Sequence, residues 1–293
     1  MTDLADFADF ADVQRRLDTV GYLVDEGLAT ALFLGWRLGQ PLLLEGEPGV
    51  GKTAAAKALA AALDTRLIRL QCYEGLTASE ALYEWNYQRQ LLAIRLAEAR
   101  HEHLRDADLF TEEFLLERPI LACVRHTGPR PPVLLIDEID RADDEFEALL
   151  LEFLGEASVT VPELGTFTAG HPPVVVLTSN RSRDLHDALR RRCLYHWLEF
   201  PDPARAAAIL RRTVPQANLA LIESATRFVG HVRTLDVDKP PGVAEAINWV
   251  AALSVLGVTE LGRAEVLSTL GVLAKTPDDR DTVLAAADSY GLP

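Results

Sequence analysis

Of the 293 residues, the eight from Gly46 to Thr53, Gly46-Glu47-Pro48-Gly49-Val50-Gly51-Lys52-Thr53, restrict the fold most. They match G-x-x-x-x-G-K-[ST] and sit between an apolar triplet, Leu42-Leu43-Leu44, that reads as a short buried strand, and an alanine-rich run, Thr53–Leu63, that reads as a helix. Glycines let successive backbone N–H groups turn inward around anionic oxygens, and the helix N-terminus adds a favourable dipole. In this pattern Lys52 reaches the β- and γ-phosphates of a nucleoside triphosphate and the Thr53 hydroxyl ligates Mg²⁺. A chain built on such a loop is an α/β protein with strands feeding helices.

The rest of the first 200 residues agrees. Arg66–Gln71, Val133–Ile136 after Pro131-Pro132, and Val174–Leu177 after Pro172-Pro173 read as strands. Residues from about Ser79 to His103 read as one long helical region, and Asp144–Leu154 as another helix. This alternation predicts a parallel sheet with helices on both faces. After Pro201 the strand signals stop, and helices are expected at about 203–212, 218–231, 243–256 and 263–275, with a last piece near 281–289. The expected division is a nucleotide-binding domain over 1–200 and a small helical lid over 201–293, with 1–20 as an N-terminal helical extension. In that extension Ala5-Asp6-Phe7 and Ala8-Asp9-Phe10 form a quasi-repeat that places Leu4, Phe7 and Phe10 near one helical face.

Three further elements extend the phosphate loop into a hydrolytic set. Val133-Leu134-Leu135-Ile136-Asp137-Glu138 delivers two carboxylates from an apolar strand, at the edge where ligands bind in open α/β sheets. There Asp137 suits holding Mg²⁺ through water, and Glu138 suits orienting and deprotonating the attacking water. Val174-Val175-Val176-Leu177-Thr178-Ser179-Asn180 ends in a polar side chain, Asn180, expected beside Glu138 and able to hold the water or the terminal phosphate. Asp187-Ala188-Leu189-Arg190-Arg191-Arg192-Cys193 supplies guanidinium groups, whose fork matches phosphate oxygens. Any of Arg190, Arg191 and Arg192 could serve, and at least one is expected to do no more than complement a helix end.

The order of these segments, GEPGVGKT, LLIDEIDRA, VVLTSN and ALRRRC, resembles AAA+ ATPases of the MoxR type. The resemblance spans roughly residues 20 to 255. Leu70-Gln71-Cys72-Tyr73-Glu74-Gly75 and Ala81-Leu82-Tyr83-Glu84-Trp85-Asn86-Tyr87 resemble the subgroup associated with maturation of molybdenum hydroxylases such as carbon monoxide dehydrogenase. The resemblance implies a P-loop fold, ATP and Mg²⁺ as cofactors, and a ring, a hexamer in this family, with ATP between subunits. It implies that Lys52, Glu138, Asn180 and Arg192 are catalytic, Arg192 acting in trans, and that Tyr22 of Gly21-Tyr22-Leu23 contacts the base. It also implies that Ser158–Ala169, two β-prone runs around Pro162-Glu163-Leu164-Gly165, is a hairpin pointing into the pore. A partner with a von Willebrand factor A domain and a client metalloenzyme are expected. One departure stands out: the family's lid arginine falls near Pro241-Gly242, where the nearest cation is Lys239.

Other signals narrow the function. The net charge of −15 repels phosphodiester backbones, so no nucleic-acid partner is expected. No apolar run approaches the roughly 20 residues that span a bilayer. The acidic start lacks a signal peptide's basic region, and the three dispersed cysteines suit reduced thiols; both fit the cytoplasm. Cys193, after three arginines, could have a lowered pKa or be a small buried residue at a strand start. His101-Glu102-His103 reads as a solvated helix end. Trp36, Trp197 and Trp249 read as core, whereas Trp85 and Tyr87 could pack or grip a partner. The competing readings are a nucleotide-gated scaffold with negligible hydrolysis, motivated by the missing lid arginine, and a nucleic-acid motor, opposed by the charge.

Overall fold

A computed structural model describes residues 7–290, so Leu4, Ala5 and Asp6 of the quasi-repeat lie outside the described residues. The strands are β1 Leu42–Gly46, β2 Leu67–Gln71, β3 Tyr83–Trp85, β4 Leu115–Glu117, β5 Val133–Asp137, β6 Ser158–Val161, β7 Gly165–Thr168, β8 Val174–Ser179 and β9 Leu194–Leu198. The helices are α1 Phe10–Thr19, α2 Glu26–Leu38, α3 Lys52–Ala62, α4 Ala78–Ala81, α5 Tyr87–Arg100, α6 Asp106–Leu109, α7 Pro119–Val124, α8 Asp144–Glu156, α9 Asp187–Arg192, α10 Pro203–Thr213, α11 Leu219–Val232, α12 Val243–Val255, α13 Arg263–Leu273 and α14 Pro277–Ser289.

The chain forms two compact units. The first takes the N-terminal stretch to Arg16, Asp25–Glu45 and Ala55–His196; the second takes Leu17–Val24, Gly46–Ala54 and the chain from Trp197. The first is built on a five-stranded sheet in the order β2-β5-β8-β1-β9, flanked by helices. β1 pairs with β8, β8 with β5 and β5 with β2, all in parallel. β1 and β5 are buried along their whole length, as apolar runs covered on both faces must be. Because neighbouring strands run the same way, β1, β5 and β8 end on one edge, and that edge collects the polar residues that follow each run.

The stretch read as one helix from Ser79 to His103 is three pieces. Leu82 ends α4, and β3 then pairs antiparallel with β4, matching Trp85 with Leu115. Trp85 is buried and meets Phe110 edge-on at 5.2 Å. Asn86 restarts the helix by accepting from Arg89 N at 3.0 Å. A buried aromatic and an N-cap thus override a run of good helix formers. Tyr87 is 66% exposed at the start of α5. The expected 158–169 hairpin forms as β6 and β7, with Ser158 opposite Thr168 and Val161 opposite Gly165.

The second unit is helical from α10 onward. Its core centres on Phe228 and Trp249, whose rings lie 5.7 Å apart, and Trp249 Nε1 donates to Thr269 Oγ1 at 2.7 Å. The last helix begins earlier than expected because Thr276 caps it, accepting from Asp279 N at 3.1 Å, and Pro277 suits the first helical position. Among the described residues no helix is long and apolar enough to cross a membrane.

Burial, not the neighbouring arginines, decides the thiols: Cys72, Cys123 and Cys193 are all pushed up to about 12. The lowered pKa considered for Cys193 is therefore corrected. Each folded thiol stays protonated where an unfolded one, near pH 9, ionises, so between pH 9 and 12 the unfolded state binds fewer protons and stability falls as pH rises. Denaturant melts across that window should show the decline, and none of the thiols should react with iodoacetamide at pH 8 until the chain unfolds. Trp249→Ala should destabilise the helical unit by about 3–5 kcal/mol, read by denaturant unfolding.

Candidate functional site

The phosphate loop joins the end of β1 to the start of α3. Gly46, Gly49 and Gly51 all have positive φ, at 155°, 79° and 107°. Two of them also lack room for a side chain: a Cβ on Gly46 would lie 2.3 Å from Leu198 O, and one on Gly49 would lie 2.8 Å from Gly242 Cα. Lys52 is only 6% exposed, and its Nζ donates to Gly46 O at 2.7 Å and Glu47 O at 2.9 Å. Its ammonium is thereby folded back over the loop. Glu47 and Pro48 are exposed, Val50 is buried, and Thr53 is half-buried in the first turn of α3. The Tyr22 hydroxyl donates to Gly51 O at 3.4 Å, which brings that residue against the loop.

The same unit shows why no side chain stands at the position near Pro241-Gly242 where the resemblance placed an arginine. Val243 N, at the start of α12, donates to Gly49 O at 2.8 Å. A Cβ on Gly242 would fall 2.7 Å from Gly49 Cα, so position 242 cannot carry a side chain while this contact exists. Lys239 is exposed. The cation against this turn is Arg233, which sequence reading missed. It donates to Pro241 O at 2.8 Å and stacks 4.2 Å over the Phe200 ring, and burial lowers its pKa to about 10 against the opposing pull of Glu245.

At the sheet edge Asp137 is 2% exposed. Its Oδ1 accepts from Thr178 Oγ1 at 2.6 Å, and its Oδ2 accepts from Arg69 Nη2 at 2.6 Å and Nε at 3.0 Å. Glu138 adopts the left-handed conformation, φ 56°, which is strained for a residue with a Cβ. Its N–H donates to Thr178 Oγ1 at 2.9 Å. One hydroxyl therefore holds the carboxylate of Asp137 and the backbone of Glu138. The Glu138 carboxylate pairs with Arg141 Nε at 2.8 Å. Asn180 follows β8 and is half-buried. Thr178, Arg69 and Arg141 carried no individual signal: Thr178 and Arg69 lay within apolar strand segments, and Arg141 within the segment after the two acids.

Glu45, the last residue before the loop, is 1% exposed and was also missed. It accepts from Ser179 Oγ at 3.2 Å and Arg190 Nη2 at 3.5 Å, and lies 3.7 Å from Arg181 Nε. Arg190 is thus committed within its own chain. Arg192 is exposed and donates to Leu151 O on α8, and Arg191 is exposed. The structure gathers Asp137, Glu138 and Asn180 at one edge and keeps Arg192 at the α8–α9 contact. His101 is the left-handed C-cap of α5, and no His, Cys, Asp and Glu group among the described residues forms a metal cage.

The donor types fit a magnesium-bound triphosphate. Asp137 in the first unit and Thr53 in the second each offer a hard oxygen, the donor type that suits Mg²⁺. The loop has positive-φ glycines and a buried ammonium, the features that anionic oxygens require.

Residues 41–193, more than half of the chain, match the AAA domain of the dynein-related subfamily. No curated protein matches the sequence. Among solved structures, a candidate ATPase from Cytophaga hutchinsonii is similar with a TM-score of 0.51 and 17% identity, over 96% of this chain and 89% of that one. A RuvB mutant from Thermotoga maritima is similar with a TM-score of 0.50 and 19% identity, over 92% of this chain and 73% of that one. At such identities the likeness is one of fold.

Thr178→Val keeps the shape and removes both hydrogen bonds of the hydroxyl. Turnover of ATP should fall by roughly 10²-fold, in the range for losing a placed polar group at a reaction centre. The melting temperature should change little beside that loss; phosphate release and a thermal melt check both.

Proposed function

The chain belongs to the dynein-related subfamily of AAA domains, and on that basis we propose that it is a MoxR-type ATPase. It hydrolyses ATP with Mg²⁺ and couples the cycle to remodelling a client, the client being a molybdenum- or other metal-containing enzyme under assembly. Residues 1–200 act as the nucleotide-binding domain and 201–293 as its lid. The observation that carries the reading is the Thr178 hydroxyl joining Asp137 to Glu138 at the edge where β1 runs into the phosphate loop.

Bound magnesium-ATP supplies an electrophilic terminal phosphorus. Lys52 and the loop N–H groups hold phosphate oxygens, and Tyr22 packs beside them toward the base. Thr53 and Asp137 would hold Mg²⁺. Glu138 takes the proton of the attacking water at its carboxylate, and the Asn180 amide orients that water. Arg192, or its exposed neighbour Arg191, reaches the nucleotide of the adjacent subunit in a ring, a hexamer by family resemblance. The β6–β7 hairpin faces the pore. The client assignment rests on the 70–75 and 81–87 segments, and a partner with a von Willebrand factor A domain accompanies it. The chain works in the cytoplasm and without nucleic acid, consistent with the net charge of −15.

A nucleotide-gated scaffold is the second reading, and the Arg141 contact to Glu138 favours it, because a carboxylate oxygen engaged by a guanidinium is not free to meet a water. Glu138→Gln separates the two. For an ATPase it should leave ATP bound and stop phosphate release; equal release by both proteins would defeat the hydrolytic mechanism. Mixing Arg192→Ala chains with Lys52→Ala chains should restore part of the activity, since each contributes an intact half-site. Absence of rescue at every ratio would remove Arg192 from its role in trans.

A further inference from the structure

Asp137 is placed to ligate a metal, yet its outer oxygen is already taken. Arg69 lies on β2, two residues before Gln71, whose backbone pairs with Asp137. Residues two apart on a strand share a face, so the Arg69 side chain runs along β2 toward its end. There Nη2 and Nε both meet Asp137 Oδ2, at 2.6 Å and 3.0 Å, and Nη2 also donates to Gln71 Oε1. Gln71 thereby holds the guanidinium from its far side.

The two partners differ in exposure. The Asp137 side chain is 3% exposed and that of Arg69 45%. The carboxylate cannot leave, whereas the guanidinium can turn into water with little loss of hydration. An arginine is permanently charged, so it cannot share one carboxylate oxygen with a divalent cation by losing a proton. A metal arriving at Oδ2 must displace Arg69 or bind against its field.

We propose that Arg69 is a positioning residue that holds Oδ2 of Asp137 and competes with Mg²⁺ for it, so that a metal at that oxygen would have to displace Arg69. This rests on the ATPase reading above and adds a gate to it. The pair keeps the buried carboxylate partnered. A guanidinium displaced from it would stand at the end of β2, beside Gln71, so occupancy of Oδ2 would be displayed at the surface. An ion pair serving stability alone would also hold Asp137, but its removal would not change how much Mg²⁺ the site needs.

The test titrates Mg²⁺ into full-length wild-type, Arg69→Gln and Arg69→Lys proteins with a fluorescent ADP analogue, reading binding rather than turnover. Arg69→Gln should lower the half-saturating Mg²⁺ concentration by about tenfold or more, the scale on which one adjacent charge shifts an equilibrium. Arg69→Lys, which keeps the charge and loses the fork, should fall between the other two. Thermal melts should show Arg69→Gln below wild type in EDTA and recovering more than wild type does on adding Mg²⁺ and ADP. An unchanged or raised Mg²⁺ requirement, with equal melting deficits in both conditions, overturns the gate. If Arg69→Gln does not fold, a wild-type requirement in Arg69→Lys overturns it equally. Wild-type protein that binds no analogue at any Mg²⁺ concentration refutes the ATPase reading and the gate with it, whereas normal binding with unshifted variants refutes the gate alone.

Discussion

Oγ1 of Thr178 donates to the carboxylate of Asp137 and accepts from the backbone of Glu138. That double contact depends on the parallel register of β5 and β8, in which Ile136 lies opposite Leu177. One further residue along each strand brings a hydroxyl alongside a carboxylate. Slipping the register by one would turn Thr178 to the other face and leave the buried Asp137 without that donor. It would also release Glu138 from the left-handed conformation that the hydroxyl helps to hold. Apolar packing of Val133–Ile136 and Val174–Leu177 therefore has a chemical consequence, because it sets where two acids point.

The charges at this edge are committed to partners within the chain. Arg69 holds Asp137, Arg141 holds Glu138, and Arg190 with Arg181 faces Glu45. Each pair matches a buried or half-buried acid with a more exposed guanidinium, which is how a carboxylate survives burial without a large penalty. Such pairing holds the acids in place, and makes the more exposed arginines the movable partners. The phosphate loop has the equivalent arrangement, with the Lys52 ammonium on two carbonyls of its own loop.

The sheet, the phosphate loop and the helical C-terminal region were legible from residue order because they rest on local rules. An apolar run followed by a glycine-rich turn and an alanine-rich run has few folds open to it. The stretch from Ser79 to His103 was misread because its helix formers are interrupted by a tertiary demand, the burial of Trp85 against β4 and Phe110. Arg69 and Arg141 gave no signal, since an arginine on a strand or after an acidic pair looks like ordinary surface charge. Arg233 was equally opaque, and the lack of a cation near Pro241-Gly242, plain in the residue order, had no visible cause there: only a backbone approach between two glycines distant in sequence explains why no side chain can stand at 242.

The amino-acid order by itself determined the class of fold, the loop able to cradle phosphate and the two acids at a strand end, because each follows from hydrophobic period, glycine freedom and adjacency along the chain. Tertiary structure alone decided which groups hold those acids. Arg69 and Asp137 are 68 residues apart and Thr178 and Asp137 are 41 apart. Hydrogen bonds over such separations are set by strand order and register, and those are properties of the packed sheet that no local stretch encodes.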